Sequence, residues 1–348
     1  MRQCLTPQHK LWLNWNGAFL MGPRYLRFLD AVERTGTIRA AGLALLASAF
    51  AASLAAQTSV HVTGYMQPRF QATGDSATFL LRRARFAVEG QAAAPWATYR
   101  VQVELRTLGA AATPPASPLT LSATDIWVRL ANTRWAATFG QFRVPFALES
   151  VTSSGILETT ERSRIVFAAR RDIGVQAQWS VPGRVVLQAA VVNGDGPNRG
   201  ANRDNRMAYF ARLVVTPVKG LDVGGAFEGY SDSTGVDAQG IYRTSRWTAR
   251  AEYIRVRQRG GTTDARTTGW YALGTYLLRP HRVQLVGRVQ QFDPSDQVAV
   301  DRLTGYLVGG QYFLRGDDLK VMADYEVFRE QATQLDNDRL VVQMQVRW

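Results

Sequence analysis

The sequence predicts an all-β fold: a 16-stranded antiparallel transmembrane β-barrel. Three observations lead there. Polarity alternates with period two through most of the chain after residue 57, as in TYRVQVELR (98–106), where Tyr99, Val101, Val103 and Leu105 share one face and Arg100, Gln102, Glu104 and Arg106 the other. The connections between such stretches alternate between short turns and longer polar loops. Beyond residue 57 no apolar run approaches 18 residues, so no further membrane helix is available and a membrane crossing falls to strands.

The chain opens with a segment of another kind. Arg34 and Arg39 precede AAGLALLASAFAASLAA (40–56), an unbroken run of small and apolar residues in which Ser53 and Ala55 fit the small-residue positions of a signal-peptidase site. Residues 1–56 are therefore expected to be an N-terminal extension and cleavable signal peptide, with Met21 as an alternative start, and 57–348 the barrel. A signal anchor is the competing reading, but 17 alanine-rich residues make a weak span beside the roughly 20 that a bilayer needs.

Strands are expected at 59–72, 77–91, 96–106, 119–130, 134–141, 171–180, 184–193, 205–215, 221–231, 238–243, 246–258, 266–278, 282–292, 300–314, 319–330 and 337–348. Separating 238–243 from 246–258 keeps short turns and long loops in phase and puts both ends of the barrel on the short-turn side, as an even-stranded barrel requires. A soluble β-sandwich would have to sustain as many long strands in open sheets, whereas closure satisfies every backbone group in lipid. In the last strand Leu340, Val342, Met344, Val346 and Trp348 alternate with polar residues, broken only by Val341, and Trp348 is expected in the aromatic girdle at the membrane interface.

Charge and composition narrow the chemistry. Lys+Arg 41 against Asp+Glu 28 gives +13, falling to +9 without residues 1–56, and the only lysines are Lys10, Lys219 and Lys320. Genomic base composition is one source of such an arginine excess. No lysine-rich run or basic helix tracks a phosphate backbone, so nucleic acid is not an expected partner. Cys4 is the sole cysteine, and His9, His61 and His281 are far apart, which leaves no disulfide framework and no expected metal centre, cofactor or Ser-His catalytic pair. GDG (194–196) lacks the following helix and Lys-Ser/Thr pair of a phosphate loop, and TSSG (152–155) is a polar loop rather than a nucleophile elbow.

An ordered set of segments resembles the phosphate-selective porin O/P family. The carriers are FLLRRARFAVEG (79–90), GQFRVPFALE (140–149) followed by ERS (161–163), RRDIGVQ (170–176), VVNGDGPN (191–198), ARLVVTP (211–217) and RAEYI (250–254). The resemblance implies a 16-stranded channel, commonly trimeric, with an inward-folded third loop and arginines lining the pore. Residues 142–170 match that loop. The ending resembles the C-terminal signature read by the barrel-assembly machinery, with Trp348 in place of the usual Phe. The family's phosphate-specific members also carry lysine clusters in the vestibules, where this chain has only Lys219 and Lys320.

Strand parity puts Arg83, Arg85, Arg100, Arg106, Arg129, Arg170, Arg212, Arg250 and Arg288 on the polar face, and the loop adds Arg162 and Arg164. These eleven are the candidate pore-lining, anion-binding residues. The competing reading pairs them with lumen carboxylates such as Glu89, Glu104, Asp125, Asp172 and Glu252, which would keep a wet interior neutral. In the loop, Val144, Phe146, Leu148, Ile156, Leu157, Ile165, Val166 and Phe167 are expected to anchor it to the barrel wall or to a neighbouring subunit. The function expected is an outer-membrane diffusion channel that prefers small anions such as phosphate, set in outer-membrane lipid and lipopolysaccharide as a homotrimer. A non-conducting structural or adhesive barrel with a blocked lumen is the alternative.

Overall fold

The computed structural model describes residues 13–15 and 18–21 and residues 60–348 apart from 93, 108–118, 166–169, 261–263 and 281. The signal-peptide segment 40–56 lies outside them, as do Val166 and Phe167. Leu13–Trp15 and Ala18–Met21 form a small antiparallel ribbon in a compact unit of its own.

The second unit is a closed barrel of sixteen antiparallel strands. In chain order they are β1 Val60–Thr73, β2 Ser76–Gln91, β3 Ala97–Thr107, β4 Leu119–Ala131, β5 Trp135–Arg143, β6 Arg171–Val181, β7 Val185–Val192, β8 Ala208–Val218, β9 Leu221–Gly229, β10 Ser233–Arg243, β11 Trp247–Gln258, β12 Ala265–Arg279, β13 Val283–Asp293, β14 Leu303–Arg315, β15 Leu319–Glu330 and β16 Arg339–Arg347. Each pairs with its sequence neighbour, and β16 closes on β1 through pairs such as Val342 with Phe70 and Val346 with Met66. Among the described residues no helix is long and apolar enough to cross a membrane.

The alternation is inside-out relative to a soluble protein. On β16 the apolar Leu340, Val342 and Met344 are exposed on the outer wall, while Gln343 and Gln345 are buried inward. Val341, the residue that breaks the pattern, also points inward and is buried. Exposed and half-buried aromatics mark both edges of the apolar band. On the short-turn side Trp135 lies 6.4 Å from Trp179 and Trp247 4.7 Å from Tyr276, and on the long-loop side Phe70 lies 5.1 Å from Phe79. Trp348 belongs to the first edge, packed 5.5 Å from Phe86.

Most strand ends differ from the sequence expectation by one to three residues, and two differences have a clear physical reason. The strand expected at 205–215 runs to Val218, carrying Thr216 and Pro217 across a register shift between Val215 and Val218. An irregularity is where a sheet accepts a residue with no N–H. The strand expected at 238–243 starts at Ser233, because Thr234 to Asp237 continue the pairing with Ala226 to Gly229. A bulge between β3 and β4, with Val101 opposite Ile126 but Val103 opposite Ala123, leaves Thr124 and Asp125 both buried.

Candidate pore lining

The connection between β5 and β6 enters the barrel rather than covering its mouth. Ala147, a non-glycine residue at φ 63°, turns the chain inward; helix α1 (Leu148–Val151) and a short 3-10 turn (Ser154–Ile156) follow. Val144, Phe146, Ala147 and Ile165 pack into one apolar cluster with wall residues that include Phe210, Ile254, Val256 and Tyr271. This explains why the inner face of β11 is apolar near its loop end. Leu148 and Leu157 are also buried, whereas Ile156 is exposed. Ile165 fits over Gly269, where a side chain would meet Ile165 Cβ at 2.8 Å.

Polar stitches hold the rest of the loop against the wall. The Leu148 N–H donates to Glu252 (2.6 Å), that of Thr160 to Asp324 (2.6 Å), and that of Arg164 to Gln290 (2.7 Å). In the other direction Lys320 Nζ donates to the Leu157 carbonyl (3.0 Å), Gln345 to that of Gly155 (2.8 Å) and Arg69 to that of Thr160 (3.0 Å). A buried backbone group left unpaired is costly, so these partners define one docked position for the loop.

Most candidate arginines are paired. Arg83 reaches Gln67 (3.0 Å) and Glu161 (3.3 Å), and Arg85 binds Glu104 and Ser154 at 3.0 and 3.2 Å. Arg100 pairs with Glu89, Arg170 with Glu228 (2.6 Å), Arg250 with Glu158 (2.5 Å) and Arg288 with Glu326 (2.8 Å). Arg129 and Arg212 make no ion pair among the described residues: Arg129 is 3.5 Å from the Thr138 hydroxyl, and Arg212 donates to Gln239 (2.7 Å) and Gln188 (3.4 Å). The Arg106 side chain is outside the described residues.

The two loop arginines are placed differently from one another. Arg162 donates to the carbonyls of Glu149 (2.5 Å) and Thr152 (2.7 Å) at the end of α1, where Arg143 also donates to the Thr152 carbonyl (2.7 Å). Cations at a helix C-terminus satisfy its free carbonyls and oppose the negative end of its dipole. Arg164 is exposed, its guanidinium 4.2 Å above the Phe328 ring.

Sequence parity missed two arginines of this network, Arg69 and Arg82. Arg69, Arg82 and Arg83 converge on the single carboxylate of Glu161, Arg69 at 2.7 Å and Arg82 through both its Nε and Nη2. Burial works against ionisation of Glu161, but Arg83, Arg82 and Arg69 outweigh it and hold the carboxyl well below the usual range. Arg69 shares its face with Tyr65 and Gln67, so parity could have found it; Arg82 lies beside Arg83, where strict alternation would send it outward.

Two cavities flank α1 and the turn after it. One of about 820 Å³ has Arg85, Arg100, Arg143, Arg315 and Arg347 in its lining against Glu89, Asp125 and Asp318. The other, about 350 Å³, has Arg212, Arg243 and Arg250 against Glu158 and Asp222. Val151 and Ser153 line both.

A closed, lipid-facing barrel whose polar interior is narrowed by an inward loop defines the porin class of outer-membrane channel. The family model for phosphate-selective porin O and P matches residues 59–237 and 222–348, and the chain belongs to that family. It is thus a porin of the bacterial outer membrane. Solved structures with the same fold include the outer-membrane protein OmpT of Vibrio cholerae in a trimer form (12% identity, TM-score 0.60, covering 83% of this chain and 99% of that one). An anion-selective porin from Comamonas acidovorans is similar at 10% identity and TM-score 0.60, over 83% and 99% of the two chains. A mutant of the Rhodobacter blastica porin is similar at 14% identity and TM-score 0.58, over 83% and 100%. No curated protein sequence matches the chain.

Proposed function

We propose that the barrel is a water-filled diffusion channel that prefers small anions, phosphate among them. The observation that carries this reading is the arginine excess of the lumen, with Arg129 and Arg212 making no ion pair among the described residues. An uncompensated guanidinium beside a narrow aqueous passage raises the local anion concentration and presents a planar fork to an oxyanion. The candidate lining is Arg83, Arg85, Arg100, Arg106, Arg129, Arg162, Arg164, Arg170, Arg212, Arg250 and Arg288, with the docked loop setting the narrowest point. The anion selectivity named for the Comamonas acidovorans porin supports the same direction. Export through cleavage of residues 1–56, insertion through the strand ending at Trp348, and assembly as a homotrimer complete the proposal.

Planar-bilayer recording of the purified barrel in a salt gradient tests it. Ohmic steps with a reversal potential on the anion side are expected. A cation-side potential would overturn the preference while leaving a channel. Silence from a demonstrably folded preparation would favour the blocked barrel, a reading that the many loop-to-wall hydrogen bonds make specific.

A further inference from the structure

Every second residue of β11 faces outward. Ile254 and Val256 are buried inside against the loop, so Arg255 and Arg257 stand exposed on the lipid-facing wall. Arg266 of β12 is exposed on the same face and is the direct cross-strand partner of Arg257. Arg257 pairs with Asp264, Arg266 lies 3.9 Å from Asp296, and Arg255 makes no ion pair among the described residues. Like charges directly opposite one another on a sheet are destabilising, and a cation on the lipid face is costly. Three guanidiniums against two aspartates on one outward patch of two neighbouring strands leave a net positive charge that a further anion would meet.

The level of the patch identifies which anion. Directly below it on the same face, Tyr253 and Trp270 are cross-strand partners, both exposed. Arg255 lies eight residues along β11 from Trp247 of the opposite girdle. At roughly 3.3 Å per residue on a strand tilted about 40° that is a height of roughly 20 Å, and Arg257 comes at roughly 25 Å, the full height of the apolar band. The order along the wall is apolar surface, an aromatic pair, then guanidiniums. A membrane lipid has the matching order of acyl chain, backbone and phosphate.

We propose that the outer wall of β11 and β12 is a binding site for a phosphate-bearing lipid of the outer leaflet. Arg255, Arg257 and Arg266 hold the phosphate, and Tyr253 and Trp270 lie against the acyl-proximal part of the headgroup. The site is independent of the lumen and does not rest on the anion preference proposed above.

Native mass spectrometry of the whole barrel in dodecyl maltoside, with bis-phosphorylated lipid A as probe, tests it. The wild type is expected to retain the lipid. Arg255→Gln with Arg257→Gln and Arg266→Gln should bind it roughly ten- to a hundredfold more weakly, since each basic side chain contributes near an anionic surface. Arg246→Gln, in an exposed short turn on the other side, should bind as the wild type does. Unchanged heat-modifiable migration shows that the triple variant is folded; if it fails to fold, Arg255→Gln alone carries the comparison. Equal retention of lipid A by wild type and variant would overturn the proposal, as would wild-type retention of dephosphorylated lipid A at the same level. Competition by millimolar inorganic phosphate as effective as lipid A would reduce the patch to a free-anion site and also overturn it. Loss of subunit cross-linking in the variant with lipid binding intact would assign the patch to a protein interface instead.

Discussion

Gly64 and Trp348 exchange both backbone hydrogen bonds, each 3.1 Å long, and the indole covers the spot where a side chain on residue 64 would stand. A Cβ there would lie 2.6 Å from Trp348 Cζ2 and would also meet the Arg85 carbonyl. The first and last strands thus meet at a position that only glycine fits, and the ring it admits packs on Phe86 at the girdle.

Gly64→Val should displace the indole and strain the β1–β2 backbone, at a cost of about 1–3 kcal/mol typical of overpacking. Trp348→Asp should impair assembly by putting a charge at the interface. Heat-modifiable migration of refolded protein reports both. Wild-type yield of folded Trp348→Asp would mean that the ring is dispensable for insertion.

Glu161 is the single anion under three guanidiniums. Glu161→Gln should undock the loop, because breaking a buried ion pair typically costs about 3–5 kcal/mol, and it should raise the anion-to-cation permeability ratio by leaving three charges uncompensated. Limited proteolysis within residues 144–170 reads the first effect and reversal potentials the second. The pH dependence has a definite sign. A carboxyl depressed on docking contributes stability that is present above its free value, about 4.3, and is lost as pH falls through the docked value. The loop should therefore resist protease at pH 5 as it does at pH 7 and open only well below the ordinary carboxylate range.

The strands were legible in the sequence because lipid imposes one rule on most outward positions, and residues such as Leu340, Val342 and Met344 obey it one by one. Alternation fails where the ladder slips or where the loop rather than water fills the lumen. Arg82 joins Arg83 on Glu161, and Ile254 and Val256 turn an apolar face inward to meet Phe146 and Ile165. The loop anchors were legible as apolar residues with no reason to be solvated. Their polar counterparts were not: Leu148 to Glu252 and Thr160 to Asp324 join residues 104 and 164 positions apart, and no local pattern encodes such a pairing.

Gly269→Val should push Ile165 out of its socket, since even a Cβ there would lie 2.8 Å from Ile165 Cβ. Ile165→Ala should loosen the same contact from the other side, at about 2–5 kcal/mol for a buried aliphatic side chain. Both variants should show more open-channel current noise and faster cleavage in residues 144–170. If recordings and cleavage match wild type, the loop is held by its hydrogen bonds without this anchor.

The last prediction compares two arginine pairs. Arg162 is fixed to the α1 carbonyls and Arg164 rests over Phe328, so both charges travel with the loop that narrows the lumen. Arg100 stands on the wall of the larger cavity and is already paired with Glu89. At a narrow point the effective dielectric constant is below that of water, so removing one charge there changes the ion barrier more than removing one from an open wall. Arg162→Ala with Arg164→Ala should therefore lower the anion-to-cation permeability ratio more than Arg100→Ala with Arg106→Ala. Because Arg162 also caps α1, Arg162→Lys is the necessary companion: it keeps the charge while losing the planar fork, and should restore selectivity even if current noise rises. An equal or smaller shift from the loop pair would put the constriction elsewhere, and a loss of selectivity in Arg162→Lys as large as in the alanine variant would assign Arg162 to loop structure alone.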